Sequence, residues 1–156
     1  MICFERVREL REEHEITQKE LGKLLGVDHS TYGSWERGRD LFPLERLIIL
    51  ANFYQVSLDY ITNLTKEKNY PDLAQTINKD LLKKRMREIR IENNYTQVAI
   101  ADVINTSHST ISAYEKGTVK PSLLYLYQLS KLFHVSIDYL LGRTNTKHLQ
   151  KEEILL

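Results

Sequence analysis

A chain of 156 residues with 42% hydrophobic and 28% charged residues, three prolines and six glycines has the balance of folded globular protein rather than disorder. No apolar run approaches the roughly 20 residues that cross a bilayer, and the single cysteine, Cys3, excludes an internal disulfide or a cysteine-based zinc site. A cytoplasmic protein without membrane contact, metal or cofactor is expected. The net charge of +1 conceals an asymmetry: residues 1–65 carry eight basic against eleven acidic side chains, residues 80–144 nine against six.

In chain order, the first predicted helix buries Phe4, Val7 and Leu10 and wets Arg6, Glu9 and Glu13. Thr17 is placed to cap a second helix carrying Leu21, Leu24 and Leu25, which stops at Gly26, a residue suited to a left-handed turn. Asp28 caps a third helix with Tyr32 and Trp35 on its inner face, ending at Gly38. A fourth helix follows Pro43 with Leu44, Leu47 and Leu50, and a fifth follows Ser57 and places Tyr60 in the core.

The same series then repeats without a gap, 79 residues on. RVRELREE (6–13) falls on RMREIRIE (85–92), HSTYGSWERG (29–38) on HSTISAYEKG (108–117), and VSLDYI (56–61) on VSIDYL (135–140). The second series has Met86 and Ile89, a Thr96 cap, Ile100, Val103 and Ile104, a stop at Asn105, a Ser107 cap, Ile111 and Tyr114, then Leu123, Leu126, Leu129 and Tyr139. Two units of about 60 residues each hold enough helix to bury a core. The domains are therefore 1–65 and 80–144, with a linker at 66–79 and a tail at 145–156. Leu73, Ile77 and Leu81 have helical spacing, so the linker is expected to be partly helical and, partly extended, to span the roughly 34 Å between successive major-groove faces. The tail ends in EEILL, an apolar terminus that a partner subunit could cover.

Within each unit Gln18 or Gln97 opens helix two, a small residue follows four later (Gly22, Ala101), the turn residue after four more (Gly26, Asn105), and an apolar anchor after six (Tyr32, Ile111). That spacing describes a helix-turn-helix, whose second helix can enter the major groove. Here the sequence resembles the XRE family of lambda repressor-like bacterial and phage regulators over residues 4–63 and 83–142. The resemblance implies an all-α fold of two tandem five-helix domains and a transcriptional regulator, by expectation a repressor, whose partner is double-stranded DNA.

It further implies roles for individual residues. Gln18 and Gln97 match the residues that bind the DNA backbone. His29, Ser30, Thr31, Gly33 and Ser34 match the groove-facing positions of the first unit, and His108, Ser109, Thr110, Ser112 and Ala113 those of the second; short polar side chains there let a helix approach base edges. Arg37, Arg39, Lys116 and Lys120 follow the recognition helices, where phosphates lie. Arg11 with Glu36, and Arg90 with Glu115, match a structural ion pair tying helix one to helix three.

The first unit departs from this pattern. Gly33 costs its recognition helix on the order of 1 kcal/mol relative to alanine, and Asp40-Leu41-Phe42 stands where a polar or basic loop is expected. The second unit is thus expected to dominate DNA affinity, while the first, acidic and with Leu41-Phe42 exposed, could instead bind a protein or a second copy of the chain. No nucleophile, base and orienting group recur together, so catalysis is not expected.

Overall fold

The computed structural model describes residues 2–150. The EEILL terminus lies outside the described residues. Helices α1 (Glu5–Glu13), α2 (Gln18–Leu25), α3 (His29–Glu36), α4 (Leu44–Tyr54) and α5 (Leu58–Ile61) form the first unit; α6 (Lys79–Glu92), α7 (Gln97–Ile104), α8 (His108–Lys116), α9 (Leu123–Phe133) and α10 (Ile137–Leu140) form the second. Among the described residues the fold is all-α, five helices to a unit. None of the described helices is long and apolar enough to cross a membrane.

In the first unit local chemistry sets each helix boundary. Thr17 Oγ1 accepts from the Glu20 N–H at 3.1 Å while Glu20 Oε2 accepts from the Thr17 N–H at 3.3 Å, a reciprocal cap that starts α2. Gly26 stops it at φ +72°, and Asp28 starts α3 by accepting from the Thr31 N–H at 2.7 Å. The helices close over Val7, Leu21, Leu25, Tyr32, Leu47, Leu50 and Ile61. Leu24 does not join them: it is exposed on the outer face of α2.

Phe42 corrects a second expectation. Instead of standing exposed beside Leu41 it is 1% exposed, with ring centroids 5.3 Å from Phe4 and 5.1 Å from Trp35. A large ring following the recognition helix gains more by entering this aromatic cluster than by remaining in water. Leu41 alone is left outside.

The second unit repeats the frame with other fillings. Ser107 caps α8, Asn105 ends α7 at φ +62° and Gly117 ends α8 at φ +77°. Met86, Ile89, Ile100, Ile111, Leu126 and Leu129 form the core, and Val103, expected there, is exposed. Tyr60 and Tyr139 are half-buried rather than core. Each lies under an arginine of its own unit, Arg6 at 4.2 Å and Arg85 at 3.9 Å from the ring centroid.

The linker and tail differ most from expectation. Compact units divide after Pro71, and the chain on either side is tied down. The Ser57 N–H donates to the Lys68 carbonyl at 2.7 Å, and Tyr70 Oη donates to the buried Asp59 carboxylate at 2.7 Å. Beyond Pro71, Asp72 accepts from Thr144 Oγ1 at 2.6 Å and from the Asn145 N–H at 2.9 Å.

No helix precedes Lys79 in this segment. The N–H groups of Ala74 and Asn78 donate to the Arg143 and Leu141 carbonyls, and Asn78 Oδ1 caps α6. Tertiary acceptors thus outcompete the helical spacing of Leu73 and Ile77. Likewise residues 145–149 do not hang free: the Ser136 N–H donates to the Lys147 carbonyl at 2.8 Å and the Leu149 N–H to the His134 carbonyl at 3.0 Å.

Candidate nucleic-acid interface

In each unit the helix pair α2–α3 or α7–α8 packs around its small residue, Gly22 or Ala101, both buried. A Cβ at Gly22 would meet the Val27 carbonyl oxygen at 2.9 Å, so the turn approaches α2 as closely as a glycine allows. This crossing presents the N-terminal part of the third helix outward. His29, Ser30, His108 and Ser109 are exposed; Thr31, Ser34, Thr110, Ser112 and Ala113 are half-buried. Arg37, Arg39, Lys116 and Lys120 are exposed at the helix ends and following loops.

Gly33 is the exception among the expected groove-facing residues. It is buried, and a Cβ built on it would lie 3.0 Å from Arg37 Nη1 and 3.3 Å from Gln18 Oε1. A residue without a side chain is covered here by longer neighbours, the side chains of Arg37 and Gln18.

The two glutamines, equivalent by sequence, do different things. In the second unit His108 Nε2–H donates to Gln97 Oε1 at 3.1 Å, joining the first residue of α7 to the first residue of α8 on the exposed surface. In the first unit Gln18 Nε2 instead donates to Glu36 Oε1 at 3.3 Å, and so turns inward. Ser34 Oγ is also engaged, donating to Asp40 Oδ2 at 2.6 Å. Val119 occupies the place of Asp40 in the second unit, and Lys120 that of Leu41.

Charge follows the same division. The cap of α3 is Asp28, whose carboxyl is held below its ordinary value by hydrogen bonds from Thr31, side chain and backbone, and from Ser30. The cap of α8 is the neutral Ser107. The first unit therefore sets carboxylates at both ends of its recognition helix, where a phosphate backbone would be repelled, and the second unit sets none on the surface there.

Behind each recognition helix sits the expected ion pair. Arg11 Nε and Nη2 donate to Glu36 at 2.9 Å each, and Arg90 Nε and Nη2 to Glu115 at 2.9 and 2.8 Å. Both arginines also donate to a backbone carbonyl before the second helix, Ile16 or Tyr95. Burial pushes the Glu36 carboxyl up, but hydrogen bonds led by that of Arg11, with its charge, outweigh burial and leave it below its ordinary value. These pairs fix helix one, the approach to helix two and helix three in one geometry.

Sequence reasoning missed six framing contacts. Arg6 donates to the Tyr60 carbonyl at 2.6 Å and to that of Thr65; Arg85 repeats this with Tyr139 and Thr144. Asp59 and Asp138 are fully buried, the first bound by Tyr70 and the second by Arg143 at 2.8 Å. The recurrence of Arg6 with Tyr60 and Arg85 with Tyr139 at the 79-residue offset was the available signal. Among the described residues no cluster of His, Cys, Asp and Glu could hold a metal ion.

Comparison with known proteins matches the helix-turn-helix family to residues 7–61 and again to 86–140. The chain is 38% identical over 84 residues to the uncharacterized HTH-type transcriptional regulator YobD of Bacillus subtilis, covering 54% of this chain and 73% of that protein. It is 35% identical over 74 residues to the HTH-type transcriptional regulator ImmR of the same organism, covering 47% and 58%. It is 34% identical over 62 residues to the cryptic phage CTXphi transcriptional repressor RstR of Vibrio cholerae, covering 40% and 56%. The chain thus spans less than two thirds of the last two. No solved structure matches it.

Proposed function

The chain belongs to the helix-turn-helix family of DNA-binding transcriptional regulators, in two tandem copies of the XRE type, and from that premise we propose that it reads duplex DNA chiefly through α8 and represses transcription. The observation that carries this reading is the surface of the second unit. There an exposed polar helix start, His108 and Ser109, joined to Gln97, is followed by exposed Lys116 and Lys120 in a unit of net positive charge.

The mechanism follows from the geometry. Phosphate contacts by Gln97, Lys116 and Lys120 set the depth and register of α8. His108, Ser109, Thr110, Ser112 and Ala113 then face base edges, where hydroxyls, the imidazole and a methyl group read acceptors, donors and thymine methyls. A bound protein occludes the promoter. Similarity to a phage protein named as a repressor supports repression over activation.

The first unit contributes less to DNA affinity, because Gln18, Gly33 and Ser34 are turned inward, covered or bound to Asp40. A second reading gives this unit a protein partner or a second copy of the chain. Ile49 and Phe53, one turn apart on α4, are 38% and 48% exposed, and Leu41 is 53% exposed.

One binding series with the full chain tests the assignment of reading to α8, using a duplex selected from random sequence. Ser109→Glu with Ala113→Glu is expected to abolish specific binding, and Ser34→Glu to leave it within about threefold. Equal loss from the two changes would refute the assignment of reading to α8. Retention of binding by the first variant would refute the use of that helix altogether.

A further inference from the structure

A groove of about 500 Å³ runs along the second unit between α6 and the last turn of α8. Lys83, Lys84 and Arg87 of α6 line it together with Lys116, a residue already placed among the phosphate contacts. Lys83 lies directly over the end of the recognition helix: a Cβ at Gly117 would sit 2.5 Å from its Cδ. Three acids line the groove, but Asp80 approaches Lys83 and Glu88 approaches Lys84 only to 3.9 Å, on exposed side chains. Pairs of that length and exposure are worth little and are easily exchanged for a stronger anion. Glu115 in the groove wall is already committed to Arg90.

The first unit has the same groove, lined by Phe4, Glu5, Arg8 and Arg37 at the corresponding places. Phe4 is drawn into the aromatic core, and an acid stands where the second unit has Lys84. Arg8 and Arg37 keep the basic charge of Arg87 and Lys116, but a phenyl ring and a carboxylate stand where the second unit has the ammonium groups of Lys83 and Lys84, so the fold does not require basic charge at those two positions. The positive charge added beside the recognition helix of the second unit suits a ligand of opposite charge.

The geometry points to a second duplex-contacting site in the second unit: Lys83, Lys84 and Arg87 bind backbone phosphates of the same DNA that α8 reads, on the flank beyond Lys116. This inference rests on the reading of α8 as the DNA-recognition helix and extends its footprint by a phosphate clamp supplied from α6. Such contacts carry no base information, so they add affinity and salt dependence without altering sequence preference.

The test measures affinity of the full chain for the selected duplex, and for an unrelated one, at a series of KCl concentrations. Lys83→Gln, Lys84→Gln and Arg87→Gln together are expected to make the slope of log affinity against log salt shallower by about 2 to 3. Both duplexes should lose affinity in about equal proportion, with the preferred sequence unchanged. An unaltered slope with binding intact overturns the clamp while leaving α8 as the reader; a wild-type chain that binds no duplex overturns the underlying function instead.

Because Lys83 packs on Gly117, the pair Lys84→Gln and Arg87→Gln serves if the triple variant does not fold, with an expected change of about 1 to 2 in slope. Inorganic phosphate at matched ionic strength is expected to compete no better than chloride. Selective displacement of DNA by phosphate from the wild type, absent in the variant, would assign the groove to a free anion and overturn the assignment to duplex.

Discussion

The two units hold the same skeleton with differently wired surfaces. The boundaries of the second, fourth and fifth helices, the Arg–Glu pair behind the recognition helix and the arginine stacked on a half-buried tyrosine recur at one offset. Around them the first unit uses aromatic packing and spends its polar groups internally, binding Gln18 to Glu36 and Ser34 to Asp40. The second places its polar groups outside, on Gln97 and His108, and keeps a buried charge pair, Arg143 with Asp138, where the first has a phenol on Asp59. Duplicated frames can thus diverge in what they face while conserving what holds them up.

Breaking the buried wiring should separate the units most. Arg143 and Asp138 side chains are 0% exposed, so Arg143→Met leaves a carboxylate buried without its cation and should cost about 3–5 kcal/mol. Arg143 also donates to the Ala74 carbonyl at 2.8 Å, so residues 72–74 should loosen with it. Trp35 is the single tryptophan of the chain and lies in the first unit. Its fluorescence transition in urea should keep the wild-type midpoint while circular dichroism shows an earlier loss of helix. Tyr70→Phe, the matching change in the first unit, should cost only about 1–3 kcal/mol and move the Trp35 transition. Equal effects from the two would mean that the buried aspartates are held alike.

A smaller effect, about 2 kcal/mol or less, separates Glu36→Gln from wild type and depends on pH. The folded carboxyl lies below its ordinary value. Its stabilisation is therefore fully present above the unfolded value, near 4.3, and is lost as pH falls through the folded one. The wild-type Trp35 midpoint should decline on acidification below about pH 4.3, and the Glu36→Gln midpoint should decline less. Parallel decline of the two curves would show that Glu36 is not the group that titrates.

Much of this was legible because it is local or repeated. Thr17, Asp28, Ser57 and their counterparts cap as their identities and spacing imply, since a cap reaches only three residues. The two Arg–Glu pairs followed from the family resemblance. What escaped was decided by distant neighbours. Phe42 turns inward only because Phe4 and Trp35 make room for it. The segment around Leu73 and Ile77 gave up helix for carbonyls of Leu141 and Arg143, about 65 residues away in sequence. Gln18 and Gln97 each follow a threonine cap and open the second helix of their unit, and nothing local foretells that one bonds Glu36 and the other His108.

The units differ also at two glycines that unit two replaces with larger residues, Ala101 for Gly22 and Ser112 for Gly33, and the second of these carries the smallest effect. At Gly22 the added Cβ would press on backbone, 2.9 Å from the Val27 carbonyl oxygen and 3.2 Å from that of Asp28. The turn must shift, and Gly22→Ala should destabilise the first unit by about 1–3 kcal/mol although the second tolerates alanine there. At Gly33 the nearest atoms are the ends of flexible side chains, Arg37 Nη1 and Gln18 Oε1. Both can swing aside, and alanine recovers up to about 1 kcal/mol of helix propensity. Gly33→Ala should therefore raise the Trp35 midpoint slightly while loosening the cover over α3. If instead it lowers that midpoint, Gln18 and Arg37 are held more firmly than their side-chain ends suggest, and the inward wiring of the first unit is part of its stability.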